Sequence, residues 1–211
     1  MVSEKFVKWR QSLARELIAA YSHYHVWEQL WPTKRSVGVL NRFKVFFHYT
    51  IAAHQQLFFL HVAKVTEERK DSINLWRLLD EVAKYPSLVP RLSKLETQQL
   101  RGLLEGHKNL LARIRTHRNK RIAHVDERHS WPDSRIWQDN VVTIGEARNL
   151  LQDLEEIFNK ISVAHDGHKW TLKTIGLEDT TTLLEALYDW HASSRQKSAN
   201  AMRASRFKGA E

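Results

Sequence analysis

The apolar residues of this chain recur at helical spacing, and its four prolines lie only between the periodic segments. Proline fixes φ and removes a backbone N–H, so each of these positions is a candidate end of a helix. The sequence has no fixed-period repeat and no apolar–polar alternation long enough for a sheet. The pattern therefore predicts an all-α fold, an antiparallel helical bundle with little or no β-structure.

Six helices are expected along the chain. Their predicted ranges are 3–30, 37–67, 72–84, 93–124, 143–161 and a last helix from about 180. Ser93 with Glu96 and Thr143 with Glu146 match the capping box, which marks the first turn of a helix. A turn is expected at 165–168 and a short extended stretch at 170–175.

Composition limits the class of protein. The chain has 211 residues, 42% of them hydrophobic, and no cysteine. Disulfide scaffolds, thiol catalysis and cysteine-based metal sites are excluded, and the cytoplasm is the expected location. The N-terminal residues scatter charges where a signal peptide would be apolar, and the apolar stretch 45–65 carries histidines, glutamines and a lysine. We interpret that stretch as a buried helix, with no membrane contact.

The formal charge of +9 is concentrated in two places. Residues 192–211 hold five cations and one acid, and residues 112–124 hold five cations and no acid. The positive electrostatic potential of such segments favours a polyanion as the binding partner. We predict a single domain over residues 1–191 and a basic, flexible C-terminal tail over residues 192–211, which could fasten RNA, contact a partner or be a disordered end.

Most sequence motifs of enzymes are absent. The chain has no phosphate-binding loop, no dinucleotide glycine fingerprint, no His-Glu-x-x-His and no Gly-x-Ser-x-Gly. His165, Asp166 and His168 fall in one predicted turn and could ligate a metal, although such groups are common in solvated turns. We expect no metal and no cofactor.

The remaining histidines and the tryptophans favour a structural interpretation. His48, His54 and His61 accompany aromatic and aliphatic positions of one helix, where core or subunit-interface histidines are common. Trp9, Trp27, Trp31 and Trp76 lie at helical spacings among aliphatic residues and are interpreted as core and interface anchors.

One stretch, at the end of the fourth predicted helix, combines cations, histidines and an amide. Histidine can relay the proton of a ribose 2′-hydroxyl or of a leaving 5′-oxygen, and arginine can stabilise the phosphorane, so these residue types suffice for RNA cleavage. The alternative is a helix C-terminus whose cations complement the macrodipole. The residues concerned are Arg115, His117, Arg118, Asn119, Lys120, Arg121 and His124.

Helix geometry constrains this site. At about 100° per residue, Arg118 and His124 lie about 120° apart on a straight helix. They can reach one phosphate if the helix distorts near Asn119, whose side chain can bond the backbone locally. Otherwise a second subunit completes the site.

The segment RNKRIAHVD resembles the signature of the HEPN superfamily, an all-helical group whose motif is an arginine, four to six residues and a histidine, often with asparagine after the arginine. Arg118, Asn119 and His124 match it. The chain is most similar to the AbiU-type abortive-infection branch, through FKVFFHYTIAAHQQLFFL, SINLWRLLDEV, the motif and GEARNLLQDLEEIFNKI in that order. The resemblance covers residues 40–162.

The resemblance implies a homodimer whose two motifs face one cleft, and a metal-independent endoribonuclease of an abortive-infection or toxin–antitoxin-like defence system. Arg118 would bind the scissile phosphate, His124 would act as acid or base, and Asn119 would orient the pair. The cleft would bind RNA through Arg115, His117, Lys120 and Arg121.

A second interpretation stays open. Some HEPN domains are catalytically silent and act as RNA-binding or protein-interaction modules. Relatives paired with nucleotidyltransferase antitoxins often carry tyrosine two residues after the histidine, where this chain has Asp126. Regulation by tyrosine modification is therefore not expected, whereas another antitoxin or protein partner is a candidate.

Overall fold

The computed structural model describes residues 2–69, 71–119, 140–172 and 178–208. These residues form eight α-helices and one 3₁₀ turn, with no strand among them, which confirms the all-α prediction. The helices are α1 (Val2–Gln29), α2 (Val37–Arg42), α3 (Lys44–Thr66), α4 (Leu75–Lys84), α5 (Lys94–Gly106), α6 (Lys108–His117), α7 (Ile144–Asp166) and α8 (Glu178–Lys208), and the 3₁₀ turn is Pro86–Leu88.

Helix α1 is the centre of the bundle, packed along α3 on one side and against α7 on another. Its apolar stripe, which includes Leu13, Leu17 and Trp27, is fully buried. Two tyrosines of the same helix reach α7: Tyr21 donates to Glu155 (2.6 Å) and Tyr24 accepts from Arg148 Nε (3.2 Å). Burying apolar side chains on two flanks makes α1 the element around which the others are arranged.

Local signals set several of the helix ends. Both predicted capping boxes form, with reciprocal bonds between Ser93 and Glu96 and between Thr143 and Glu146. Helix α4 begins later than predicted because the Asn74 side chain accepts the amide of Arg77 (2.9 Å) and caps it. Gly167 ends α7 at φ +79°, a left-handed conformation that glycine adopts without strain.

Two predicted continuous helices are broken. The expected helix 37–67 divides at Phe43 into α2 and α3, and the expected helix 93–124 divides at His107 into α5 and α6. Each interrupting side chain contacts a distant helix: the Phe43 ring lies 5.7 Å from Trp190, and His107 Nε2 lies 2.6 Å from Asp153 Oδ2. The breaks therefore depend on tertiary contacts.

A second, smaller core lies at the N-terminal end of α3. It joins α1, α2, α3 and α8 through Leu30, Val39, Leu40, Phe47 and Leu184. Helix α8 crosses the predicted boundary at residue 192, and the division into a domain and a flexible tail stays a prediction.

Most of the predicted tryptophan anchors are confirmed. Trp9, Trp27 and Trp76 are buried, whereas Trp31 is 48% exposed. Among the described helices, none has the length and apolar character that crossing a membrane requires.

Candidate functional site

Arg118 lies at the end of α6, where the helix changes its hydrogen-bonding pattern. Arg118 and Asn119, the last described residues of this segment, continue the helix as a π-type turn. A π-type turn is wider than an α-turn and shifts the direction of the following side chains. A distortion near Asn119, one of the two alternatives left open by the sequence, is therefore present, and Asn119 itself is exposed.

The Arg118 guanidinium forms an ion pair with Glu67, the residue that ends α3. Both side chains are mostly buried, with 18% and 23% of their surface exposed. An ion pair shielded to this degree is stronger than an exposed one, because less water screens the charges. The basic stretch that has no acid in the sequence thus receives one from another helix.

Arg118 also lines a cavity of about 600 Å³ between α1, α3 and the chain that follows α3. The floor is apolar, formed in part by Leu13, Leu60 and Ala63. The charged side chains around it are Glu16, Lys64, Glu67, Arg69, Asp71 and Arg118, three acids and three bases. An anion entering the cavity would compete with Glu67 for Arg118.

A row of polar side chains leads from this cavity along the contact between α1 and α3. Glu16 on α1 accepts from His61 Nδ1 (2.7 Å) and pairs with Lys64 Nζ (3.3 Å) on α3. Farther along, His23 Nδ1 and His54 Nδ1 share a hydrogen bond of 3.0 Å. The His23 ring also stacks on the His61 ring, with centroids 5.5 Å apart. The polar row therefore connects three histidines with the acid at the edge of the cavity.

Two of these histidines are neutral at physiological pH. Burial, followed by the charges of His54 and His61, lowers the pKa of His23 to about 4. Burial also lowers the pKa of His54. Neutral imidazoles can exchange a hydrogen bond with each other, as His23 and His54 do, without mutual repulsion. His54 and His61 thus belong to a half-buried polar row, whereas His48 is exposed.

His117 belongs to the core, which corrects its predicted role as an RNA contact. Its side chain is 1% exposed, and its ring stacks on Phe59 with centroids 4.9 Å apart. His117 Nε2 donates to the Asn140 carbonyl oxygen (2.7 Å). The helical spacing indicated that His117 is buried, because it follows the buried Ile114 by three residues and the buried Leu110 by seven.

The other members of the predicted site divide into two groups. Arg115 is exposed on α6 and remains available as an RNA contact. Lys120, Arg121 and His124 lie outside the described residues. The structure therefore brings Arg118 and Asn119 together at the end of α6, and the placement of His124 stays a prediction.

The sequence did not indicate Glu67 as part of this site. Glu67 and Arg118 are 51 positions apart, and no spacing rule joins residues on different helices. The only signal was the position of Glu67 at the end of the predicted second helix.

The candidate metal turn uses its side chains in other contacts. Asp166 accepts from Arg10 Nη1 (3.2 Å), a contact that holds the pKa of Asp166 at about 2, and His165 Nδ1 lies 2.5 Å from the Leu88 carbonyl oxygen. Within the described part of the chain, no three His, Cys, Asp or Glu side chains are placed to hold a metal ion.

Of three comparisons with known proteins, one finds a match. A search of curated proteins and a search of solved structures find no significant match. A family model, HEPN_AbiU2, described as AbiU2, matches residues 3–183, which include every described helix from α1 to α7, the start of α8 and the complete Arg–Asn–His motif. Because this match spans most of the chain, the protein belongs to the AbiU2 family of HEPN domains.

Proposed function

We propose that this protein is a metal-independent endoribonuclease of an abortive-infection or toxin–antitoxin-like defence system, acting in the cytoplasm as a homodimer. The family supports an abortive-infection HEPN module. The observation that carries the catalytic proposal is the position of Arg118, the arginine of the motif, at the edge of a 600 Å³ cavity on a distorted helix end.

In the proposed reaction, the ribose 2′-oxygen attacks the adjacent phosphorus and the 5′-oxygen leaves. His124 removes the 2′-hydroxyl proton or protonates the leaving oxygen, and Arg118 stabilises the charge on the phosphorane. Asn119 orients the pair. The products are a 2′,3′-cyclic phosphate and a 5′-hydroxyl, so the reaction needs no water and no metal ion.

Arg118 must exchange its partner during this reaction. A phosphate oxygen would replace the Glu67 carboxylate, with which the guanidinium now forms an ion pair. The interaction free energy of Arg118 with the RNA phosphate therefore has to be at least as favourable as that with Glu67. The exposed Arg115, with Lys120 and Arg121 of the motif, would supply further phosphate contacts.

The pairing of Arg118 with Glu67 also favours a second candidate function, a catalytically silent module that binds RNA or a protein partner. In that case Arg118 fastens α6 to the end of α3, and the motif orders the fold or the dimer. His124→Ala would then weaken dimerisation or folding without changing any rate.

The experiment is cleavage of a labelled mixed RNA pool in EDTA by the full chain, Arg118→Ala and His124→Ala. Arg101→Ala is the matched control, since it removes one partly exposed, ion-paired arginine on α5. We expect cleavage by the full chain and the control, and a loss of about 100-fold or more in both motif variants.

Sedimentation equilibrium and thermal unfolding of each variant accompany the assay. Undiminished cleavage by His124→Ala would remove His124 from the chemistry. A folded dimer that binds the pool but cleaves nothing would assign the protein to the silent class.

A further inference from the structure

The end of α3 opposite Arg118 carries aromatic side chains on the protein surface. Phe46 is 61% and Tyr49 is 70% exposed, and Phe43 and Trp190 are each about two-fifths exposed. These four residues are called the aromatic surface. Large apolar side chains that stand together in solvent usually mark a binding site.

Three rings of the aromatic surface are held in place by contacts with one another and with a buried ring. Phe43 contacts Trp190 of α8, with ring centroids 5.7 Å apart. The buried Phe47 contacts Phe43 (6.5 Å) and Phe46 (5.2 Å), so three of the rings form a connected series over the smaller core. Rings held in this way lose little conformational entropy when a ligand stacks on them.

The surroundings of the aromatic surface are basic. The sequence has no Asp or Glu between Glu28 and Glu67. Within this interval Arg42 and Lys44 are exposed on either side of Phe43 in the sequence, and the Arg42 guanidinium lies 5.5 Å from the centroid of the Trp190 ring. Cations therefore alternate with aromatic side chains over a short stretch of surface.

Helix α8 adds both acids and cations to this end of the molecule. Glu185 is paired with Arg35, and Asp189 is exposed next to Trp190 in the sequence. Beyond Trp190 the helix continues with the exposed Arg195 and Lys197. The cations beside the aromatic surface thus outnumber the unpaired acids.

Two kinds of occupant fit exposed aromatic rings, and the charge distinguishes them. A second copy of the chain, related by a two-fold axis, would bring Arg42 and Lys44 close to their own copies, which costs free energy. A single-stranded nucleic acid offers flat bases for the rings and phosphates for the cations. A duplex does not, because its base faces are already stacked.

We propose that the aromatic surface binds single-stranded RNA by base stacking, with Arg42 and Lys44 on the phosphates. This proposal rests on RNA being the ligand of the proposed function. Phe46 on α3 and Glu67, which caps the C-terminal end of α3, are 21 residues apart, about 32 Å at 1.5 Å per residue. The aromatic surface is therefore a separate contact, which only an RNA of several nucleotides can reach while it occupies the Arg118 cavity.

The test measures the affinity of the full chain for a labelled 2′-O-methyl oligouridine 15-mer by fluorescence anisotropy in EDTA. This probe has no 2′-hydroxyl, so it binds without being cleaved. We expect the double variant Phe46→Ala/Tyr49→Ala to bind about tenfold more weakly or worse, because two stacking positions are lost. The matched control, Leu95→Ala, removes a 64% exposed side chain on α5 and should bind as the unchanged protein does.

A second variant, Arg42→Gln/Lys44→Gln, tests the charges with the rings in place. It should lower the affinity and flatten the dependence of log Kd on log salt by about two phosphate contacts, roughly −0.7 in slope for each on a single strand.

Unchanged affinity in both double variants would overturn the proposal, as would failure of the unchanged protein to bind the oligomer. A weaker dimer with unchanged RNA affinity would also overturn it, because the surface would then join two copies. Both double variants leave Arg118 and His124 unchanged, so the cleavage assay can succeed or fail independently of the difference that they show in binding.

Discussion

The two ends of helix α3 differ in the burial and pairing of the side chains around them. At its C-terminal end, charged side chains are partly buried and paired, as Glu67 is with Arg118 and Glu16 with His61. At its N-terminal end, rings and cations face solvent, with Phe46 and Tyr49 among the most exposed apolar side chains described. The C-terminal end, which meets Arg118 of the family motif, therefore has its charges paired, and the N-terminal end presents rings and cations to solvent.

The comparison separates what the molecule needs for stability from what it presents for binding. Paired, shielded charges are costly to disturb, whereas exposed rings contribute little to folding. The predictions that follow test this difference, from the largest expected effect to the smallest.

Phe47→Ala tests whether the buried ring beneath the aromatic surface contributes to stability as a core residue does. Phe47 is 3% exposed and belongs to the smaller core. Removing its ring should lower the free energy of unfolding by about 3–5 kcal/mol, from lost burial and the cavity left behind. Urea unfolding at pH 7 measures this. A loss below about 1 kcal/mol would mean that the smaller core is loosely packed.

Arg118→Ala and Glu67→Ala, alone and together, test the C-terminal end of α3. Each single change leaves a mostly buried charge without its partner and should cost about 1–2 kcal/mol. Their effects should not add, with a coupling free energy of about 1 kcal/mol in the double-mutant cycle. Additive effects in urea unfolding would show that the ion pair contributes nothing to stability.

The histidines between α1 and α3 predict a pH dependence. The His23 pKa, about 4 when folded against 6.5 as its ordinary value, means that between these values the unfolded chain binds a proton that the folded chain does not. His54 shifts in the same direction, and His61, Glu16 and Lys64 face the same contact. Stability should therefore be complete above pH 6.5 and fall as the pH drops toward 4, by at most about 1.4 kcal/mol per pH unit for each proton.

Urea unfolding at pH 7.5, 6.5, 5.5 and 5.0 checks this dependence, with His23→Gln as the control that flattens it. The acids held at low pKa, Asp166 and Glu146 at about 2, lose their contribution only at more acidic pH. A flat profile down to pH 5 would contradict the expected coupling.

Phe46→Ala and Tyr49→Ala test the N-terminal end of α3. Both side chains are mostly in water, so each change should alter the free energy of unfolding by less than about 0.5 kcal/mol. The same urea series measures it beside Phe47→Ala. A loss of 2 kcal/mol or more would show that these rings are part of the fold and would remove the contrast between the two ends.

Local signals in the sequence predicted much of the fold. The capping boxes at Ser93 and Thr143 involve residues three apart, so their bonds form within one turn and the helix starts were predictable. The breaks at Phe43 and His107 were not, because each interrupting side chain contacts a residue more than 40 positions away. Periodicity contains no information about such contacts.

The candidate site was predictable to a smaller degree. The motif identified Arg118 and Asn119, and a helix distortion near Asn119 was one of the two alternatives that helix geometry left open; the π-type turn at these residues agrees with it. The charge of the site was misleading, since the acid-free stretch 112–124 meets Glu67 and, through Arg113, Glu146 from other helices. A run of cations in the sequence predicts a basic surface only where the fold places no acidic side chain next to it.

The central position of α1 has a consequence for synthesis. Its partners arrive in two stages: α3 ends at Thr66, and α7, which meets Arg10, Tyr21 and Tyr24, ends at Asp166. At 5–20 residues per second, a ribosome needs about 5–20 s to make the intervening 100 residues. We expect a nascent hairpin of α1 and α3 whose second flank stays uncovered during that interval, detectable as protease-sensitive α1 in chains stalled before residue 144. We expect that flank of α1 to need protection in the cell until α7 emerges.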